Sequence, residues 1–165
     1  MPYEMMYNLL PELAVKETRT ITVLGDNNLY LPNGEYGLLE MYCNDEDCDC
    51  RRVIINVVFR DTDKSLALIC YGWEQLSFYV KWYYGAETKL SDLESGEKSD
   101  LRTYKGPGLS MEGPQSNLAP SILQLVIDQV LSDKDYVSRL KRHYKLFREK
   151  VDERHKENIR NDEKS

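Results

Sequence analysis

A chain of 165 residues with 41% hydrophobic and 30% charged side chains has the size and make-up of one folded domain, which excludes the low-hydrophobicity signature of disorder. The net charge of -6 is unevenly held: residues 1–132 carry 11 Lys/Arg against 20 Asp/Glu, whereas residues 133–165 carry 11 against 8. An acidic body repels a phosphate backbone, so nucleic-acid binding is disfavoured unless the C-terminal segment acts alone. The N-terminus lacks a basic start followed by an apolar core, and no apolar run approaches the roughly 20 residues that span a bilayer. The expectation is a cytoplasmic protein without membrane contact, in a compartment where thiols stay reduced.

In chain order, residues 7–17 read as a short helix with Pro11 tolerated in its first turn. Arg19 to Leu24 alternates Ile21 and Val23 with Thr20 and Thr22, the pattern of a half-buried strand. Turn residues at 25–28 and 32–34 lead to a second strand over 35–42. Val53 to Phe59, rich in β-branched residues, is a third, and Ser65 to Trp73 a fourth after the polar turn 61–64. The connections are too short for parallel crossovers, so the strands form an antiparallel meander.

Residues 71–84 are half aromatic and fit a helix that places Trp73, Leu76, Tyr79, Val80, Tyr83 and Tyr84 on one face. Phe78 and Trp82 then form an i, i+4 surface pair in need of cover. Residues 87–100 read as a loop or weak helix. The irregular stretch through Gly106-Pro107-Gly108 and Gly113-Pro114 is long enough to be mobile or functional. An apolar helix follows over Pro120–Leu131, and Asp133 caps a last helix with an apolar strip of Val137, Leu140, Tyr144, Phe147 and Val151. Residues 152–165 are a polar tail expected to fray. The predicted architecture is therefore α+β: one domain over residues 1–151, with an antiparallel sheet of about four strands and the aromatic and C-terminal helices on one face.

The segment built for chemistry is Tyr42-Cys43-Asn44-Asp45-Glu46-Asp47-Cys48-Asp49-Cys50-Arg51-Arg52, which holds three of the four cysteines. Three thiolates at C-x4-C-x-C spacing converge on one centre with little loop-ordering cost, a geometry that suits a soft divalent metal such as zinc. Pairing the flanking strands through the cluster sets Cys43 opposite Cys50 with Cys48 in the connecting loop. Arg51 and Arg52 are candidates to donate to the sulfurs or to offset their charge. Candidates for a fourth ligand are Cys70, His143, one of Asp45, Asp47 and Asp49, or water. The predicted pairing places Cys70 beside Ile55, roughly 16 Å from Cys50 at about 3.3 Å per residue, which makes it a small core residue instead. Ordinary reduced thiols remain an alternative, as does a Cys43–Cys50 disulfide if the protein is exported.

The pattern Glu40-x-Tyr42-Cys43-x4-Cys48-Asp49-Cys50-Arg51-Arg52 resembles the signature of a prokaryotic family of conserved proteins without assigned function. The resemblance extends to the aromatic segment from Trp73 to Trp82 and to Arg139-Leu140-Lys141-Arg142-His143-Tyr144. It implies an intact single domain and supplies no enzymatic role. The C-x-C opening is also similar to that of the small zinc motif ending the secretory motor ATPase. Nothing after Cys50 supplies that motif's Cys-Cys or Cys-His pair.

Other chemistry is thin. The acidic run 45–49 lacks the glycine and terminal glutamate of a calcium loop. His143 sits at the edge of the helical strip and reads as a partly exposed histidine, with a pairing to Cys48 or Cys50 the rarer option. His155 lies in the polar tail. Gly106-Pro107-Gly108 is a turn, since no G-x4-G-K-[ST] pattern surrounds it. The expectation is a non-enzymatic interaction module, with a protein partner, built around a zinc knuckle of Cys43, Cys48 and Cys50. The alternatives are a small metal- or thiol-dependent enzyme using the same cluster, and a nucleic-acid binder using the basic last helix.

Overall fold

A computed structural model describes residues 2–165 as a six-stranded antiparallel sheet flanked by helices on both faces. The strands are β1 (Tyr3–Met5), β2 (Arg19–Val23), β3 (Gly34–Cys43), β4 (Arg52–Phe59), β5 (Lys64–Gly72) and β6 (Gly108–Leu109). The helices are α1 (Met6–Leu9), α2 (Pro11–Glu17), α3 (Leu76–Tyr84), α4 (Ser95–Lys105), α5 (Ala119–Val126), which continues as a π turn over Ile127–Leu131, and α6 (Lys134–Glu163).

The expected meander is present as β2 to β5, each strand paired antiparallel with the next. Two short strands extend it. β6 lies along β5, and β1 lies along the same edge of β3 that β2 occupies. β1 faces Met41–Cys43 and β2 faces Gly34–Leu38, so α1 and α2 interrupt what would otherwise be one edge strand. The single helix expected over 7–17 is two, broken at Leu10 (φ −131°, ψ 58°). A proline ring disfavours the α conformation in the residue before it, so Pro11 begins a new helix rather than joining the first turn of a longer one.

Strand alternation divides the sheet into two faces. Leu38, Tyr42, Val53, Ile55, Val57, Ala67 and Ile69 turn one way and pack with Ile122 and Val126 of α5 and with Leu140, Phe147 and Val151 of α6. Arg52, Ile54 and Cys70 turn the other way, toward α4, where Tyr104 stacks on Arg52 and the Thr103 carbonyl faces Cys70. The aromatic helix does not join the main core. Tyr79 and Val80 of α3 form a second cluster with Leu93 and Leu101, because α3 packs on α4. Its surface faces are also exchanged: Tyr83 and Tyr84 are exposed, whereas Phe78 lies under the Arg51 guanidinium (4.5 Å) and Trp82 stacks on Tyr104 (5.4 Å).

The irregular stretch after α4 is tied to the sheet. Gln115 uses its side-chain amide as a peptide surrogate: Oε1 accepts the Leu68 N–H (2.9 Å), and Nε2 donates to the Leu68 carbonyl (2.9 Å). Ser116 donates both its N–H (3.1 Å) and its hydroxyl (2.7 Å) to the Leu66 carbonyl, so this edge of β5 is covered. Asp133 caps α6 as expected, its carboxylate accepting the N–H groups of Asp135 and Tyr136. The helix runs to Glu163, past the point where the sequence turns polar.

Candidate metal centre

The β3–β4 connection carries the three clustered cysteines, and two of its turns use left-handed backbone: Asp47 at φ 57° and Arg51 at φ 47°. An aspartate adopts that conformation readily, but an arginine there is strained and persists only when its surroundings over-determine it. Two tyrosine hydroxyls do so. Tyr144 of α6 accepts the Arg51 N–H (3.3 Å), and Tyr79 of α3 donates to the Arg51 carbonyl (2.9 Å). Gly72 makes room for this clamp, since a Cβ there would overlap the Tyr79 hydroxyl.

The result is convergence of Cys43, Cys48 and Cys50, whose sulfurs all lie within 4.8 Å of one another. Cys43 and Cys50 are buried and Cys48 is half-buried. The route differs from the expected one. β3 and β4 pair with Met41 opposite Ile54, so the connection is longer than predicted and Cys43 pairs instead with Tyr3 of β1. The loop, not a cross-strand Cys43–Cys50 pair, brings the thiols together.

The trio titrates as a unit. Hydrogen bonds from Cys43 and then Cys50 lower the Cys48 thiol to about 3, helped by the Cys50 backbone N–H and the nearby Arg148. The same bonds, seen from the other side, push Cys50 far up, and the bond to Cys48 raises Cys43. One thiolate is thus held by two thiols, and a cation among the sulfurs would favour ionisation of the other two. A backbone N–H from Asp45 favours the ionised form of Cys43. N–H groups pointing at sulfur two residues back are the outer-shell support that thiolate ligands use.

Arg51 and Arg52 do not serve the sulfurs as expected. Arg51 turns outward to Asp49 (2.9 Å), Glu74 (3.3 Å) and the Phe78 ring. Arg52 donates to the Tyr3 hydroxyl (2.7 Å) and lies over the Tyr104 ring (3.5 Å). The arginine next to the cluster is Arg148, whose Nη1 donates to the Cys43 carbonyl (2.9 Å). Its one available signal was helical: it follows Tyr144 of the buried strip by one turn. Tyr3, Tyr79 and Tyr104 were equally missed, as was His155, which contacts the Glu46 carboxylate at the rim of the loop.

The fourth-ligand candidates separate. Cys70 lies opposite Ile54 rather than Ile55: the turn pairs Phe59 with Lys64, two residues off the expected register, and the bulge at Val57/Val58 recovers only one of them. It is 4% exposed, with its sulfur 3.7 Å from the Thr103 carbonyl, and does not join the trio. His143 is not a partly exposed histidine but fully buried (0%), with Nδ1 2.7 Å from Glu40 Oε2 and Nε2 2.6 Å from Glu17 Oε2. Asp49 is held by Arg51 and Tyr144. Asp45 and Asp47 line a shallow open depression with Glu46, Cys48 and Trp82. Among the described residues, no fourth His, Cys, Asp or Glu lies within the same reach of all three sulfurs.

Comparison with protein-family models, with curated proteins and with solved structures finds no match. The three thiols can hold a metal ion, and no described helix is long and apolar enough to cross a membrane.

Proposed function

We propose that Cys43, Cys48 and Cys50 bind zinc as thiolates, that the fourth position is taken from the solvent side by water, Asp45 or Asp47, and that the centre is structural. The protein is then a non-enzymatic interaction module that presents the acidic turn 45–47 and Trp82 to a protein partner. The observation that carries this reading is the convergence of three sulfurs within 4.8 Å on a backbone clamped by two tyrosines. Three thiolates around a divalent ion leave one negative charge, and Arg148 stands beside it. Zinc would fasten the loop to elements far apart in the chain: β1 through Tyr3 and α6 through Tyr144 and Arg148.

One observation favours a second reading. Among the described residues three protein ligands converge, and a water rather than Asp45 or Asp47 in the fourth position would give the pattern of catalytic zinc, where the metal polarises that water. The nucleic-acid reading has less support, because Arg139, Arg142, Arg148 and Arg154 of α6 are engaged with Glu17, Cys43 and Glu4.

X-ray absorption at the zinc edge, joined with thermal unfolding before and after chelation, tests the proposal. Three sulfurs and one lighter donor, with a marked fall in melting temperature on chelation, is the expected result. A fold indifferent to chelation favours the enzyme reading, and a centre without sulfur contradicts both.

A further inference from the structure

We propose that Arg52 anchors a binding site for a small zwitterionic carboxylate of the α-amino-acid type, in the cleft between α4, β5 and the loop after β6. The cleft has a volume of about 300 Å³, the size of the smallest ligand pockets. Arg52 lines it and is 6% exposed, yet no aspartate or glutamate among the described residues forms an ion pair with it. It donates to the Tyr3 hydroxyl and to Tyr104, whose ring it also covers, while its Nε is buried without a hydrogen-bond partner. A guanidinium held out of water without a counter-charge is costly, and an anion entering the cleft relieves that cost.

A second buried donor lines the same cleft. Ser110 is 7% exposed, and its Oγ accepts the Glu112 N–H (3.1 Å), which leaves its own proton to donate. Arg52 and Ser110 together suit a carboxylate, whose planar oxygens accept both kinds of donor. Leu109, Cys70 and Met111, the last 94% exposed, supply apolar contact. Asp100 also lines the cleft, so a dianion such as phosphate meets repulsion while a ligand carrying an ammonium group is matched at both ends. The site is independent of the metal centre in its chemistry, although Arg52 reaches toward the thiols through Tyr3.

The test follows the Arg52 Nε–H resonance, identified by its loss in Arg52→Lys, in the full-length zinc-loaded protein. The probes are L-leucine, 4-methylpentanoate, isoamylamine and inorganic phosphate. Leucine is expected to shift the resonance saturably. 4-Methylpentanoate binds more weakly, and the amine and phosphate leave the resonance unmoved. Ser110→Ala weakens leucine binding roughly tenfold, by loss of one hydrogen bond to a charged group, while the rest of the spectrum stays that of the parent. A resonance that ignores leucine and 4-methylpentanoate, or that moves on zinc removal alone, overturns the proposal and makes Arg52 the counter-charge of the metal centre. Tighter binding of phosphate than of leucine also overturns it.

Discussion

Two polar clusters meet α6, one at the middle of β3 and one beyond its end, and they differ in what completes them. At the middle, His143 sits between Glu40 and Glu17, Arg142 braces Glu17 (2.8 Å) and Tyr42 donates to Glu40 (2.6 Å). Each ring nitrogen faces a carboxylate oxygen, an arrangement that favours the imidazolium and supplies its counter-charges from the protein. At the end, three thiols face one another, and hydrogen bonds from Cys43 and Cys50 favour the thiolate of Cys48. A closed cluster of this kind holds elements together, whereas an open one marks a place for something from outside.

The comparison can be broken at either end. The largest expected effect belongs to the metal. At zinc a thousandfold above its dissociation constant, binding to the folded state alone contributes about 4 kcal/mol, or roughly 10 °C in melting temperature for a chain of this size. Chelation of the wild type should remove that increment, and Cys50→Ser should lack it from the start. Calorimetry in the presence and absence of zinc measures both.

His143→Ala should cost about 3–5 kcal/mol, because it leaves Glu40 buried without its cation. Urea unfolding reads the loss, and a cost near zero would show that the closed cluster is not a unit. The smallest effect is at the α6 cap, where Asp133→Ala should cost about 1 kcal/mol by the same assay.

The closed cluster also predicts a pH profile. Burial lowers the basicity of His143, but the bonds and charges of Glu40 and Glu17 outweigh it and raise the group above its ordinary 6.5. Its contribution is complete below that value and is lost as pH rises through the higher folded value. Glu17 is lowered to about 2, first by its bond from Arg142 and then by that from His143. That contribution is present above its ordinary 4.5 and is lost as pH falls toward about 2. Stability measured against pH should therefore fall on both limbs, and His143→Ala should flatten the alkaline one.

The parts of the fold legible in the sequence were those set by local pattern. Strands β2 to β5 follow from period-two alternation and turn residues, and the α6 cap from an aspartate before an apolar strip. What escaped depends on distant partners. Tyr3–Met5 is a strand only because Met41–Cys43 offers it an edge, and Ser95–Lys105 is too polar to announce a helix. The cysteine trio was visible in its spacing, yet the strand pairing around it was not, since loop length and the Val57/Val58 bulge carry no local signature. His143 looked exposed because its carboxylates lie 103 and 126 residues away in sequence.

Metal analysis of protein purified without a histidine tag, comparing wild type with Cys48→Ser, tests the central claim most directly. The account predicts about one equivalent of zinc in the wild type and a clear loss in the variant. Less than about half an equivalent in the wild type, or equal zinc in both proteins, would contradict it.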